Sequence, residues 1–250
     1  LTAPSEANTI RFHEDVRKLQ AKHKLVLHSP EGRVTVGIPV HNMAGFIGKA
    51  LQSLAEQTVK DFDLIILDDA STDNLTEALA PWAENKITLL KFEENMGVRK
   101  AVNAMIAVCE TEFFVSLAAD DWVEPNYLER ALAEFKADPY LEFVASQTDF
   151  VDEEGKPLVT CDLANIERAS NKSREQWLQR LYFGNVYFGV GMYRTYAIKE
   201  VGGLAEDGIL TDYDLYLKLL QRENIKIIEE NLTHTRVHDG MASYGVNKFT

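Results

Sequence analysis

The sequence predicts an α/β fold in which a mainly parallel sheet is flanked by helices, and three observations support this. Between residues 32 and 145, short apolar runs alternate with segments whose apolar residues recur at helical spacing. The apolar runs are continuous, as in parallel strands that are covered on both faces. Each run ends in a polar cluster, as expected where strand ends share one edge of a sheet. After Pro139 the pattern changes, and a smaller region of mixed structure is expected there.

The elements of the first part follow in chain order. Val34 opens a buried-strand run, and Phe46, Ala50 and Leu54 then fall on one helical face. The sequence predicts strands at 34–40, 64–67, 87–92 and 113–117, and helices at 46–54, from 74 with an interruption near Pro81, at 97–109 and at 126–136.

The second part predicts a strand at 141–148, a charged hairpin tip at 152–156, and helices at 177–183 and 213–221. Between these helices lies an aromatic and glycine stretch at 182–193, for which two interpretations stay open. Glycines let a backbone approach a ligand or partner closely. They also mark bends in a packed core strand.

Composition and charge exclude several classes of protein. The chain has 250 residues, is 46% hydrophobic and 26% charged, and has a net charge of −13, which argues against a nucleic-acid partner. No apolar run approaches the roughly 20 residues that span a bilayer, and no signal peptide is recognisable, although peripheral membrane association stays open. With only two cysteines, a reduced cytoplasmic setting is expected. Because the chain begins at Leu1, we expect it to be part of a longer protein.

Residues 1–31 are expected to form an N-terminal extension or linker, ahead of one domain at 32–250. Within the extension, residues 7–23 carry a thin apolar face. This segment is either an amphipathic docking helix, or a surface helix or linker from a preceding domain.

Two adjacent carboxylates, Asp120 and Asp121, close the apolar run at 113–117. They are either a solvated turn with an N-capping aspartate or the ligands of a divalent cation. A strongly acidic protein that binds a diphosphate needs local positive charge, and a bound cation supplies it.

Four polar clusters follow the four predicted parallel strands and should therefore lie along one edge of the sheet. They are 39–42, 68–73, 94–97 and 120–121. One such cluster indicates a turn, whereas four on one edge predict a binding or catalytic site.

In their order and spacing, these elements resemble the inverting glycosyltransferases of the family-2 type, which have the GT-A (Rossmann-like) fold and use nucleotide-diphosphate sugars. The resemblance covers about residues 33–240 and rests on segments at 36–42, 51–58, 67–73, 95–103, 120–128, 201–203, 212–215 and 236–238. It implies a nucleotide-sugar-binding half at 32–145 and an acceptor-side half at 146–250.

The resemblance also implies roles for individual residues on the donor side. Asp69 would accept a hydrogen bond from the base, with Asp68 as a weaker companion; a carboxylate suits the imide N–H of uracil or thymine. The loop over the base and ribose would be formed by Pro39, His41 and Asn42, and the diphosphate would be approached by Gly97 with Arg99 or Lys100.

For the reaction itself, the resemblance assigns Asp120 to the ribose or sugar, and Asp121 with His238 to a Mn²⁺ or Mg²⁺ ion. Asp212 would be the general base that takes the proton of the acceptor hydroxyl. Two structural alternatives stay open: His238 as a surface histidine, and Asp212 as a helix N-cap. The sugar and acceptor pockets would be shaped by Trp122, Phe188, Gly189, Val190, Gly191 and Met192.

The function implied is metal-assisted transfer of a sugar, with inversion, from a UDP- or dTDP-sugar to a glycan, lipid-linked or protein acceptor, as in polysaccharide biosynthesis. Two positions depart from the common family pattern, Ala118 and Thr211. They support an alternative in which the chain is an inactive binding or assembly module. A nicotinamide dehydrogenase is excluded because no Gly-X-Gly-X-X-Gly follows the first strand.

Overall fold

The structure, a computed structural model, describes residues 32–83, 86–158, 167–168, 176, 186–187, 189–205, 211–222 and 224–238. Ten strands and six helices fall within these residues. They are β1 (Val34–Val40), α1 (Ile47–Ala55), β2 (Phe62–Asp68), α2 (Leu75–Leu79) with a 3-10 turn (Ala80–Trp82), β3 (Ile87–Lys91), α3 (Val98–Val108), β4 (Phe113–Ser116), β5 (Trp122–Val123), α4 (Tyr127–Ala137), β6 (Phe143–Val151), β7 (Glu167–Arg168), β8 (Val186–Tyr187), β9 (Gly191–Arg194), α5 (Thr195–Glu200), α6 (Thr211–Leu220) and β10 (Ile225–Arg236).

Eight of the described strands form one sheet in the order β3-β2-β1-β4-β9-β6-β10-β5, while β7 pairs with β8. Strands β1 to β4 are parallel, and β10 is parallel to β6. Strand β9 runs antiparallel between β4 and β6, and β5 is antiparallel to β10. The sheet is thus mainly parallel in its first half and mixed in its second, as the sequence predicts.

Helices cover both faces of this sheet. The side chains of each strand point alternately to either face, and both sets are apolar and pack against helices. On β2, Ile65 and Leu67 pack in a cluster with α3 and α6, whereas Leu64 and Ile66 pack in a second cluster with α1 and α4. Continuous apolar runs are therefore required, and they are what the sequence contains.

The predicted elements of the first part are confirmed to within about two residues at each end. In the second part, the predicted strand 141–148 is β6, and the hairpin tip is confirmed by a hydrogen bond from Asp152 N to the Lys156 carbonyl at 2.9 Å. The predicted helix at 177–183 and the extension at 1–31 lie outside the described residues. The two halves share one sheet, since β6, β9 and β10 continue the layer that β1 to β4 begin.

None of the helices within the described ranges combines the length and the apolar composition that crossing a bilayer requires.

Candidate functional site

The loops after β1 and β2 interlock at the carboxyl edge of the sheet. Asn42 and Ala70 both adopt left-handed backbone conformations, with φ of 54° and 56°. Such conformations are energetically unfavourable for non-glycine residues, so surrounding contacts must stabilise the backbone there. Asn42 supplies some of these: its Oδ1 accepts the Thr72 N–H at 2.8 Å, and its own N–H donates to Ser71 Oγ at 3.1 Å.

His41 joins three of the four predicted clusters. Its Nδ1 lies 2.7 Å from the Asp69 carbonyl, and its Nε2 lies 2.9 Å from Asn95 Nδ2. A carbonyl only accepts and an amide nitrogen only donates, so the ring carries its proton on Nδ1. The ring is therefore fixed in orientation within the loop that was expected to lie over the base and ribose. Asn95 is a bridging residue to which the sequence analysis gave no role.

The carboxylate of Asp69 anchors the glycine loop that leads into α3. Its Oδ1 accepts the Met96 N–H at 2.7 Å and its Oδ2 accepts the Gly97 N–H at 2.8 Å. The side chain is buried, and these two bonds satisfy a charge that would otherwise be costly. Each oxygen keeps a further lone pair, so contact with a base stays a prediction.

Asp68 has a different set of partners. It pairs with Lys91 Nζ at 2.8 Å and accepts the Ser71 N–H at 2.7 Å. Burial raises the pKa of Asp68, but these interactions outweigh burial and hold it below its usual value. Asp68 is thus an ionised carboxylate that holds the loop after β2.

The start of α3 has the features of an anion site. Gly97 takes φ of +85° just before the helix, and a Cβ there would meet no other atom within 4 Å. Arg99 and Lys100 follow in the first helical turn and are partly exposed. The helix dipole and the two cations both favour a phosphate at this position.

The two aspartates after β4 have different partners. Asp120 Oδ2 lies 3.0 Å from His238 Nε2. Asp121 is instead buried against β10, where its Oδ1 accepts the Arg236 N–H at 3.0 Å. Burial, and then the neighbouring Asp120, raise the pKa of Asp121 well above its usual range. The carboxylate that contacts His238 is Asp120, and the expectation that Asp121 and His238 hold a cation stays a prediction.

A carboxylate and an imidazole in contact are a donor set that suits Mn²⁺, and a carboxylate alone suits Mg²⁺. Among the described residues, no three His, Cys, Asp or Glu side chains are already grouped around a cation position. Further ligands would therefore come from phosphate oxygens and water, as is usual for Mg²⁺ sites.

His238 is buried, which overturns the alternative that it is a surface histidine. Its ring packs against Phe46 at 4.5 Å between centroids. The guanidinium of Arg236 lies 5.2 Å from the Phe46 ring and donates through Nε to the Asp120 carbonyl at 3.1 Å. Phe46 and Arg236 thus fix the histidine and the aspartate turn. No local sequence pattern points to either residue, because their roles arise only when β10 reaches this edge of the sheet.

Trp122 packs beside the aspartate turn. Its ring stacks on His234 at 5.0 Å, and the cationic groups of Arg236 and Lys49 lie 5.1 and 5.4 Å from its centroid. His234 in turn contacts Glu124 at 2.6 Å. These contacts fix the Trp122 ring next to the aspartate turn, and its role towards a sugar stays a prediction.

Residues 189–193 of the glycine and aromatic stretch pack in the core and lead into β9. Val190 and Met192 are buried, and a Cβ at Gly191 would lie 2.1 Å from the Phe143 ring. At Gly189, which has φ of +63°, a Cβ would lie 2.8 Å from Thr233 Oγ1. The side chains of Val190 and Met192 therefore pack in the core, and the expectation that this stretch shapes the sugar and acceptor pockets stays a prediction. Phe188 lies outside the described residues.

Asp212 is the second residue of α6. The helix thus begins one residue before Asp212, and the N-cap alternative, which placed Asp212 outside the helix, is not what the backbone shows. The side chain of Asp212 lies outside the description, so its role as the base stays a prediction.

The fold is of the GT-A type found in glycosyltransferases. It matches the structure of Staphylococcus aureus TarS residues 1–349 with a TM-score of 0.68 at 20% identity, covering 84% of this chain and 60% of that one. It matches a mannosyltransferase from Pyrobaculum calidifontis with a TM-score of 0.60 at 19% identity, covering 97% and 70%. The chain belongs to glycosyl transferase family 2, whose sequence profile matches residues 35–202.

Curated relatives agree with this assignment. The chain is 28% identical over 209 residues to a chondroitin synthase of Escherichia coli, covering 83% of this chain and 29% of that protein. Over an equal length it is 28% identical to a hyaluronan synthase of Pasteurella multocida, covering 83% and 20%. The chain thus spans less than a third of the length of these two relatives.

Proposed function

We propose that this chain transfers a sugar from a nucleoside-diphosphate donor, a UDP- or dTDP-sugar, to an acceptor hydroxyl with inversion at the anomeric carbon, assisted by Mn²⁺ or Mg²⁺. The observation that carries the proposal is the continuous network at one sheet edge. It joins His41, Asp69 and Gly97, and it lies on the same edge as the pair of Asp120 and His238.

The donor half of the proposal rests on this network. A base and ribose would lie at the loop of Pro39, His41 and Asn42, with Asp69 accepting the imide N–H of a uracil or thymine. TarS was solved with UDP-GlcNAc and the Pyrobaculum enzyme with GDP-Man and Mn²⁺, which supports a nucleotide-sugar ligand for this fold. Guanine also presents an N–H donor, so the choice of base has to be measured.

The diphosphate would lie at the start of α3, near Gly97, Arg99 and Lys100. A cation there would be held by His238 together with Asp120, which it contacts, and with the adjacent Asp121 as the ligand that the sequence predicts. A bound divalent ion would stabilise the charge that develops on the departing diphosphate.

In the reaction, an acceptor oxygen attacks the anomeric carbon from the face opposite the diphosphate. As the new C–O bond forms, the bond from that carbon to the phosphate oxygen breaks, and the electron pair leaves with the nucleoside diphosphate. The proton of the acceptor hydroxyl passes to the carboxylate of Asp212. General-base help of this kind contributes roughly 10²–10⁴-fold. One displacement inverts the configuration.

The acceptor class follows from the relatives by analogy alone. A chondroitin synthase and a hyaluronan synthase support a hydroxyl on a growing polysaccharide. Lipid-linked and protein acceptors are the alternatives that an acceptor panel separates.

A ligand panel tests the donor site. Melting temperature is measured with UDP, dTDP, GDP and CDP, each with and without Mn²⁺, because a ligand stabilises the folded state by RT ln(1 + [L]/Kd). We expect UDP or dTDP with Mn²⁺ to give the largest shift, and Asp120→Asn to remove the increment due to Mn²⁺. Glu154→Gln, a change in an exposed carboxylate of the hairpin tip, is the matched control. The donor-site proposal fails if no nucleotide shifts the transition.

A turnover assay distinguishes an active enzyme from an inactive binding module. Release of nucleoside diphosphate from the donor that binds best is followed with Mn²⁺, with and without oligosaccharide acceptors. We expect Asp212→Asn to lower kcat by about 10²-fold or more while nucleotide binding is retained. Binding without any turnover in the wild-type protein supports the inactive module that Ala118 and Thr211 suggest.

A further inference from the structure

Asn103, at the middle of α3, clamps a segment that lies about 100 residues further along the chain. Its Nδ2 donates to the Leu204 carbonyl at 2.8 Å, and its Oδ1 accepts the Leu204 N–H at 2.9 Å. One side-chain amide thus pairs with both polar groups of a single backbone residue. Such reciprocal pairing fixes position and orientation together, as a rung of a β-ladder does.

The backbone at residues 202–204 leaves space for the side-chain amide of Asn103. Helix α5 is followed by Gly202 and Gly203, with φ of +85° and +67°, and the Gly203 N–H donates to the Ile198 carbonyl at 2.9 Å. A Cβ on Gly203 would lie 2.4 Å from Asn103 Oδ1, whereas one on Gly202 would meet nothing within 4 Å. The second glycine therefore serves two purposes, since it permits the turn and makes room for the asparagine.

The pairing of Asn103 with Leu204, called the clamp below, connects the proposed diphosphate site with the segment that leads to the proposed base, Asp212. Asn103 is six residues after Gly97, or about 9 Å along one rigid helix from the loop proposed to hold the diphosphate. In the other direction, Leu204 precedes Asp212 by eight residues. Helix α6, which carries Asp212, packs through Leu215 and Leu219 in the same core cluster as α3, and Leu204 packs against that cluster.

We propose that Asn103 is a positioning residue that sets the distance between the donor diphosphate and the general base, by holding the backbone of Leu204 to the helix that begins at the phosphate loop. The proposal rests on the proposed function, because it takes Asp212 as the base. Asn103 itself touches neither donor nor acceptor in this role, and its effect is exerted on kcat through Asp212.

The test uses the full chain and compares Asn103→Leu with Asn103→Asp. Leucine has a similar size and makes neither hydrogen bond, whereas aspartate keeps the acceptor for the Leu204 N–H and loses the donor. We expect kcat to fall by about 10- to 100-fold for leucine, the scale of a misplacement near 1 Å, and by less for aspartate. KM for the donor and Kd for UDP should stay within about twofold of wild type.

Two glycine variants give an independent measurement. Gly202→Ala and Gly203→Ala both force alanine into a left-handed conformation, and only the second displaces Asn103. We expect Gly203→Ala to reproduce the loss in kcat and Gly202→Ala to keep kcat near wild type. Equal kcat values for the two variants would overturn the proposal, and so would a fall in UDP affinity that accounts for the whole loss.

A double mutant identifies the residue through which Asn103 acts. If the clamp positions Asp212, Asn103→Leu should lower kcat little further in an Asp212→Asn background, because effects of residues that act as a unit are not additive. Additive losses would overturn the proposal. The proposed function can fail separately. If Asp212→Asn keeps the wild-type kcat, Asp212 is not the general base. If Asp212→Asn abolishes activity but the Asn103 variants keep the wild-type kcat, only the positioning role of Asn103 is rejected.

Discussion

At the scale of single residues, two adjacent aspartates at the end of β2 carry out different tasks because side chains alternate along a strand. Asp68 pairs with Lys91 and accepts a hydrogen bond from the loop that follows β2. Asp69 accepts two hydrogen bonds from the glycine loop before α3. The sequence predicted that both would lie at this edge. It did not predict their partners, since Lys91 and Gly97 belong to the next strand and the loop after it.

Replacing Asp69 by Asn should release the glycine loop. The amide has one acceptor where two N–H groups need one each, so one charge-assisted hydrogen bond is lost and an N–H faces an N–H. Hydrogen bonds to charged groups contribute about 1.5–3 kcal/mol. We therefore expect UDP affinity, measured by titration calorimetry, to fall by about 10- to 100-fold.

Asp73→Asn is the control for this variant. Asp73 is an exposed carboxylate near the same edge that accepts the Ala44 N–H at 2.8 Å, and it has no hydrogen bond to the glycine loop. Its replacement should change UDP affinity less than twofold. Similar losses in both variants would argue against a specific role of Asp69.

At the scale of elements, the strands and helices of the first part were predictable because their signals are local. A continuous apolar run such as that of β2, and the helical spacing in α1, do not depend on distant residues. The partner of Asp120 was not predictable in this way. It depends on how β10 pairs with β5 and β6, which brings in residues 118 positions away. The glycines around Val190 were ambiguous for a similar reason, since Phe143, which fills the space beside Gly191, lies on another strand.

The packing of Gly191 gives a prediction for β9. A Cβ would lie 2.1 Å from the Phe143 ring, so Gly191→Ala forces that buried ring out of position. Overpacking of this kind costs about 1–3 kcal/mol of unfolding free energy or more, measurable by urea denaturation.

Gly48→Ala is the matched control for Gly191→Ala. Gly48 lies in α1, is exposed, and would gain a Cβ with no atom within 4 Å. There the replacement should stabilise the protein by about 0.5–1 kcal/mol, since glycine is a poor helix former. Stability changes of the same sign in the two variants would contradict the packing described for β9.

At the scale of the whole molecule, the second half of the chain is tied to the sheet by a group of charged residues around the start of β6. Glu142 is buried and accepts two hydrogen bonds from Arg222, at 2.6 and 2.8 Å, and one from Tyr196 at 3.1 Å. Arg222 also pairs with Glu200 at 2.8 Å. Burial raises the pKa of Glu142, but these hydrogen bonds outweigh burial and hold it below its usual value.

This pKa predicts how stability depends on pH. A carboxyl whose pKa is lower in the folded state contributes stability that is fully present above its unfolded pKa, about 4.3, and is lost as the pH falls through the folded value. Glu142→Gln should therefore cost about 1–2 kcal/mol at pH 7, since Arg222 is partly solvated. The difference from wild type should shrink steadily below about pH 4. Denaturation curves for both proteins across this range measure it, and a difference that does not vary with pH would contradict the ion pair.

The position of β10 in the sheet has a consequence for the order in which the molecule assembles. The residues of the network, His41, Asp69 and Gly97, all lie within the first 97 residues of the chain. His238, the partner of Asp120, is synthesised much later. During synthesis a chain emerges from its N terminus, and contacts between residues distant in sequence form late. We therefore expect a nascent chain to gain the means of holding a nucleotide well before it can hold a cation. In the proposed function, β10 would therefore add the histidine of the cation site to a nucleotide site that has already formed.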